Sequence, residues 1–307
     1  MAVAVTWTEI EALVARVPQW ANTAVHLAPL HGGITNTNFV ATARGRRFVV
    51  RVPGESTELL GIDRANEAEA ARRAASLGLG PAIFGELPVI GTLITELVAG
   101  EHLEPHAFML RIDDVVDVLH TFHQSGPLQG AFPIHRVVEW HARDAASRGV
   151  IPPASYDRLH RQSKRIEQAF ARSPMAPVPC HNDLLPGNLL FEGPTGRPWL
   201  LDFEYAGMND AFFDLGNLSV NCGLDAAADE QLLHRYFGGV TDARWARLQL
   251  MKMMSEFREG MWAVVQQASS TLDTDFVAYA EERLGNCERL AASPDFDRWL
   301  AEAAQRV

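Results

Sequence analysis

Three side chains between residues 183 and 202 have the types and the spacing of a phosphoryl-transfer centre. Asp183 is followed five residues on by an amide, Asn188, and after a hairpin by a second carboxylate, Asp202, with Glu204 and Asp214 close behind. A carboxylate to take the proton of an attacking hydroxyl, and two oxygen donors to hold a hard cation against phosphate oxygens, are what transfer from a magnesium nucleotide requires. Each residue alone has a plain alternative: Asp183 as a turn residue, Asn188 as a helix cap, Asp202 as a strand-end carboxylate. Their conjunction between apolar, strand-like runs favours the chemistry.

The local pattern says how such a set is positioned. CHNDLLPGN lies between a strand ending near Val178 and the apolar run LLF, so it is a loop on a short-stranded scaffold. Pro186-Gly187 makes a tight turn that returns Asn188 towards Asp183. Trp199-Leu200-Leu201 reads as a strand with Asp202 at its end.

Upstream, residues 25–30, 38–43 and 47–52 read as strands, with Gly32-Gly33 between the first two and Arg44-Gly45-Arg46 turning the second into the third. Gly33, Thr35 and Asn36 would lay backbone N–H groups over nucleotide phosphates, and Arg51, at the end of the third strand, would reach an inner phosphate. The alternative is a plain β-hairpin, since no strict GxGxxG is present. Residues 62–77 read as an alanine-rich helix closed by Gly78. Its Glu67 is preferred to Glu69 as the partner of the strand-end cation, because it directly follows the Arg64–Asn66 turn. A solvated carboxylate near a helix N-terminus is the other reading. Strands follow near 82–86 and 92–96. The segment 96–100 is read as the joint between two lobes, 1–99 and 100–307, where the backbone of Glu96 and Val98 would meet an adenine edge.

The remainder is helical by period. Residues 7–17 suggest a short helix with Thr8 and Glu11 as a capping box. Val115, Val116, Leu119 and Phe122 recur at helical spacing, with His120 and His123 on the same helix; packed helix-face histidines are favoured there over a metal pair. Residues 134–148 and 155–171 read as two further helices. A long helix carries Met251, Met254, Phe257, Met261 and Val265 as a core stripe.

Composition excludes several classes. The 307 residues are 47% hydrophobic and 21% charged, which fits a folded globular chain of two lobes. A net charge of −11 disfavours nucleic-acid binding, which needs clustered Lys and Arg. Cys180, Cys222 and Cys287 form no CxxC, so free reduced thiols are expected rather than zinc or disulfides. The stretch MAVAVTWTEIEALVARV has no basic start and soon acquires glutamates, and no apolar run approaches the ~20 residues of a membrane span. A cytoplasmic protein is expected.

HNDLLPGN and LLDFEYAGMNDAFFDLGN resemble the catalytic loop and metal segment of the choline/ethanolamine kinase family, within the aminoglycoside-phosphotransferase and protein-kinase-like fold. GGITNTNF and FVVRVPG are similar to the same family's phosphate loop and strand-end basic residue, an Arg where many kinases have Lys. The resemblance spans roughly residues 25–265 and is most specific at 181–217. It implies an α+β, two-lobed kinase-like fold with a small β-rich lobe and a larger helical one, using ATP and Mg²⁺. It implies Asp183 as catalytic base, Asn188 and Asp202 as metal ligands, and Arg51 and Glu67 at the phosphates. His181 and Asp214 brace the loop, and Glu204 and Tyr205 stand on the substrate side. Trp262 resembles an aromatic that helps to box a cationic substrate by cation–π attraction, with core packing the equal alternative. The expected acceptor is choline or a related amino alcohol. An amino-sugar, aminoglycoside or thiamine kinase and a nucleotide-binding pseudokinase are the rivals.

Overall fold

The computed structural model describes residues 7–30, 36–53, 61–87, 92–193, 196–270 and 274–307. Its N-terminal part is built on β1 (His26–Leu30), β2 (Asn36–Ala43), β3 (Arg46–Pro53), β4 (Ile83–Leu87) and β5 (Thr92–Glu96). They form one antiparallel sheet in the order β1-β2-β3-β5-β4. Alternation decides what each face carries, because successive side chains point to opposite sides of a strand. Phe39 and Ala41 of β2, Phe48, Val50 and Val52 of β3, and Ile94 of β5 are buried with Ile10, Val14 and Trp20 in a small core. Fully burying side chains of this kind stabilises by about 1.5–3 kcal/mol each. The residues between them face the other way. Asn38 is opposite Arg51, and Arg51 opposite Leu93, a row across three strands that lines a cleft.

The helix over that core, α1 (Trp7–Val14), already contains Thr8, so Thr8 is not its cap. It ends short of the expected residue 17. Pro18 follows, and Val17 is held extended at φ −68° and ψ 117°, as a residue before proline prefers.

Helix α2 (Arg64–Ser76) crosses between sheet and helical region. Asp63 caps it by accepting from the Ala65 and Asn66 N–H groups. Gly78 takes φ +63° at its C-terminal end, a left-handed position that glycine fills at little cost. The Asn66 side chain donates to Ala206 O and accepts from Gly130 N at 2.9 Å, tying α2 to the helical region.

The C-terminal part holds α3 (Pro105–Met109), α4 (Ile112–His123), α5 (Ile134–Ser147), α6 (Tyr156–Arg172), α7 (Ala211–Asn221), α8 (Ala226–Phe237), α9 (Asp242–Ser269), α10 (Phe276–Ala291) and α11 (Phe296–Ala303). Four three-residue strands form two small ribbons. β6 (Val178–Cys180) pairs with β9 (Gly207–Asn209), and β7 (Leu189–Phe191) with β8 (Pro198–Leu200). Helix α9 is the central element, buried on nearly every side from Ala246 to Gln266. Among the described residues no helix is long and apolar enough to cross a membrane.

Helices α7 and α9 touch at backbone distance. A Cβ placed on Gly216 would stand 2.8 Å from Lys252 N and Met251 C. Neither backbone can yield, so Gly216→Ala is expected to destabilise the protein by about 1–3 kcal/mol, the usual cost of overpacking. Equilibrium denaturant unfolding would check this. An unchanged midpoint and slope would show that the two helices are free to separate.

Candidate active site

The loop between β6 and β7 is held by its own N–H groups. Asp214 and Asn217 stand three residues apart on α7, hence on one face, and both are fully buried. The Asp214 carboxylate accepts from His181 N and Asn182 N, each at 2.7 Å, and Asn217 Oδ1 accepts from Leu184 N at 2.5 Å. The skipped residue is Asp183. Hydrogen bonds to a carboxylate are worth about 1.5–3 kcal/mol each, so this pinning is firm. The His123 ring nitrogen Nε2 lies 2.9 Å from Asp214 Oδ2, and its Nδ1 is 2.6 Å from the Tyr236 hydroxyl. His181 packs inside the loop, with Nε2 donating to Leu201 O at 2.8 Å. Asn182 adopts φ +64°, uncommon for a residue with a Cβ, and its amide donates to Tyr205 O at 3.0 Å.

Asp183 is only 6% exposed. Its Oδ2 accepts from the Asn188 amide at 3.1 Å, and the same amide donates to Asp183 O at 2.8 Å. With the Asn188 NH₂ turned to Asp183, its carbonyl oxygen is the atom available to a cation. Asp183 Oδ1 accepts from Arg258 Nη1 at 3.1 Å. Burial pushes the Asp183 carboxyl up to about 7; Arg258 opposes this, while Glu259 and Asp202 add to it.

Asp202 follows β8 and takes φ +64°. Leu201 N, just before it, bonds to Asn188 O at 2.9 Å, so the two oxygen-donor residues are joined by backbone. Arg51 reaches across from β3 to pair with Asp202 and lies 3.7 Å from Glu67 Oε1. Glu67 also takes the Arg64 guanidinium at 2.6 Å, whereas Glu69 pairs with Arg73 instead. Burial works against the Arg51 charge, but the carboxylates of Asp202, Glu67 and Glu204 outweigh it and raise its pKa.

These groups line a cleft of 360 Å³ between sheet and helical region. Asn38, Arg51, Glu67, Asn188 and Asp202 stand on one part, and Glu96, Leu97, Val98 and apolar side chains on another. An apolar cleft with a few convergent polar groups is the usual form of a small-molecule site. Arg51 Nε, Glu67 Oε1 and Asp202 Oδ1 are buried without a hydrogen-bond partner among the described residues. Such atoms are costly to leave unmatched. A free carboxylate oxygen beside an amide carbonyl suits a hard cation, and an arginine donor suits phosphate oxygens, so the donor set fits a magnesium nucleotide.

Of the residues read as nucleotide contacts, Arg51, Glu67, Glu96 and Val98 all reach this cleft. The N–H groups of Glu96 and Leu97 are already bonded to Ala82 O and Arg47 O, while Val98 N–H makes no such bond among the described residues. Gly33 and Thr35, and the Asn36 side chain, lie outside the described residues.

The expected substrate-side residues lie behind Asp183. Glu204 is buried, with Arg64 Nη1 3.8 Å from its carboxylate. The Tyr205 hydroxyl accepts the Trp262 indole N–H at 3.0 Å. Trp262 is buried edge-to-face against Phe276 and Tyr279. The Arg258 guanidinium lies 4.2 Å from the centre of the Tyr205 ring and pairs with Glu259. The Arg283 guanidinium lies 5.1 Å from the centre of the Tyr279 ring.

Sequence reading missed Arg258, Asn182, Asn217 and His123 as members of this network. For Arg258 one signal was present. Arg258 and Glu259 stand between Phe257 and Met261 of the apolar stripe of a core helix, and charged residues are almost never fully buried unless paired.

Residues 26–250 match the family model described as the phosphotransferase enzyme family. Ethanolamine kinase 2 of Homo sapiens is 29% identical over 296 residues, covering 86% of this chain and 75% of that protein. A crystal structure of a choline/ethanolamine kinase family protein from Mesorhizobium loti superposes with a TM-score of 0.81 at 32% identity, covering 97% of this chain and 98% of that one. Choline kinase LicA from Streptococcus pneumoniae gives a TM-score of 0.77 at 23% identity, with 92% and 99% covered.

Proposed function

Because the chain belongs to the phosphotransferase enzyme family, and within it to the choline/ethanolamine kinases, we propose that it transfers the γ-phosphoryl group of ATP to the hydroxyl of a small amino alcohol. The observation that carries this reading is the meeting of Asp183, Asn188 and Asp202 beside the cleft that Arg51 and Glu67 line. Asp183 is the base, orienting the acceptor hydroxyl and taking its proton. Asn188 and Asp202 are the residues to hold magnesium, which when bound neutralises charge on the phosphate oxygens. Arg51 takes phosphate oxygens, with Glu67 fixing its position. Gly33, Thr35 and Asn36 cover the phosphates, and the backbone at Glu96 and Val98 meets the adenine edge. His181 and Asp214 hold the loop. The lobes divide between residues 99 and 100. Catalysis is then positioning and charge neutralisation, with little covalent work for the protein.

Glu204, Tyr205 and Trp262 face the acceptor side, and here one observation bears on substrate choice. A quaternary ammonium such as that of choline is held by open aromatic faces. Arginines lie over the rings of Tyr205 and Tyr279, and the Trp262 N–H is taken by Tyr205. The late-helix carboxylate beside these rings is Glu259, which pairs with Arg258 and lies 3.4 Å from the Tyr279 hydroxyl. That wall suits an ammonium able to donate hydrogen bonds, as in ethanolamine or an amino sugar. Purified protein with ATP and Mg²⁺, screened against choline, ethanolamine, thiamine and aminoglycosides, tests both levels. A primary-amine acceptor is expected to exceed choline by about 10-fold or more in kcat/KM, since a site built on hydrogen bonds rejects an analogue lacking the donor. Absence of stimulated phosphorylation by either choline or ethanolamine would move the assignment to another acceptor class.

A further inference from the structure

We propose that Arg258 is a positioning residue of the transfer reaction: from the middle of α9 it fixes the carboxylate of Asp183 in the orientation that the acceptor hydroxyl requires. This rests on the reading of Asp183 as the base. The two oxygens of Asp183 are held by different elements. Asn188, on the same loop, donates to Oδ2 at 3.1 Å, and Arg258 Nη1 donates to Oδ1 at 3.1 Å from α9. Two donors on opposite oxygens fix the plane of a carboxylate, and a loop residue alone leaves it free to turn.

The helix holds the loop at two successive residues. Asn217 accepts from Leu184 N and donates to Ser255 Oγ at 2.8 Å. Ser255 and Arg258 are one turn apart on one face of α9. The backbone at residue 184 and the side chain at 183 are thus tied to the same rigid stretch. Arg258 itself has little freedom: it is 1% exposed, lies over the Tyr205 ring and is paired with its neighbour Glu259.

A buried arginine serving architecture alone looks different, and this chain contains one. Arg247, also on α9, gives its hydrogen bonds to backbone carbonyls, Ala303 O at 3.0 Å and Ser173 O, joining separate helices, and its Nη1 lies 3.6 Å from the Asp210 carboxylate, away from the reacting loop. Among the described residues Arg258 hydrogen-bonds to the carboxylates of Asp183 and Glu259, while its Nε and Nη2 have no hydrogen-bond partner there. Its hydrogen bonding is directed at the reacting loop.

The test uses the full chain with Arg258→Gln, Arg258→Lys and Arg258→Ala, assayed with the acceptor that wild type phosphorylates best. Arg258→Gln is expected to lower kcat by about 10²-fold, the cost of a misplacement near 1 Å. Nucleotide affinity should stay within about threefold, because Arg258 does not line the nucleotide cleft. Arg258→Lys should recover part of kcat, keeping the charge but not the planar fork. Added guanidinium should restore turnover to Arg258→Ala at concentrations that leave wild type unaffected. A kcat for Arg258→Gln within about threefold of wild type overturns the role. So does a parallel fall of kcat, nucleotide affinity and melting temperature without guanidinium rescue, which is the mark of a purely structural residue. If Arg258→Ala does not fold, the Gln and Lys variants decide. A wild type that phosphorylates no alcohol overturns the functional reading and this role with it, whereas an active wild type and an unimpaired Arg258→Gln overturn the role alone.

Discussion

Asp183→Ala is expected to lose acceptor phosphorylation, with kcat down by about 10³-fold, a typical range for removing a positioned general base. Nucleotide should bind as before, because Asp183 is not among the groups that line the cleft. The rest of the site survives the change. Arg258 keeps Glu259 as a partner, so no buried cation is stranded. The loop N–H groups at residues 181, 182 and 184 keep Asp214 and Asn217. The variant should therefore fold and fail at one step. Steady-state kinetics beside nucleotide-binding calorimetry would show kcat and affinity moving apart. Unchanged turnover would remove Asp183 from the role of base.

Asp214→Asn is expected to fail by a different route. The fully buried carboxylate accepts two backbone N–H groups and faces the His123 ring nitrogen at 2.9 Å. An asparagine has one acceptor oxygen, and its NH₂ would face a backbone donor. Leaving a buried donor unmatched, and losing charge-assisted bonds, costs about 2–4 kcal/mol. The loop would also lose its anchor, so kcat should fall by about 10²-fold through misplacement of Asp183. Melting temperature and kcat are then lowered together, whereas Asp183→Ala lowers kcat alone. An Asp214→Asn protein with wild-type melting and turnover would show that His181 and Asn182 are held by something else.

The parts legible in the sequence were those that local rules decide. Alternation in FVVRV is enough to set Arg51 on the face opposite Phe48 and Val50, because a strand has only two faces. Gly78 marks the end of α2 for an equally local reason, its positive φ. Turn residues and short apolar runs mark the loop of Asp183. The unread parts depend on contacts between distant segments. The three-residue β6 finds its partner β9 across most of the catalytic stretch, and three residues carry no periodic signal of their own. Helix α9 is buried on nearly all sides, so its sequence has no polar face against which a functional residue would stand out. The methionine stripe was read as core and is buried. Arg258 lies in the same helix; its charge hints at a buried pair, but only its three-dimensional neighbours show that the partner is Asp183.

Helix α9 also limits how this protein can change. Three of its side chains meet three partners of the site: Ser255 reaches Asn217, Arg258 reaches Asp183, and Trp262 reaches Tyr205. An α-helix advances about 1.5 Å and turns about 100° per residue, so one inserted or deleted residue would re-aim all later contacts at once. Helix α9 thus acts as a ruler whose marks are fixed by the loop it faces. With Ser255 and Arg258 committed to the loop, position 262 is the mark of this ruler at which exchanges are expected to alter acceptor preference, as the proposed role of Trp262 implies. Changes of length are confined to the turns at either end of the helix, where they leave the spacing of those marks intact.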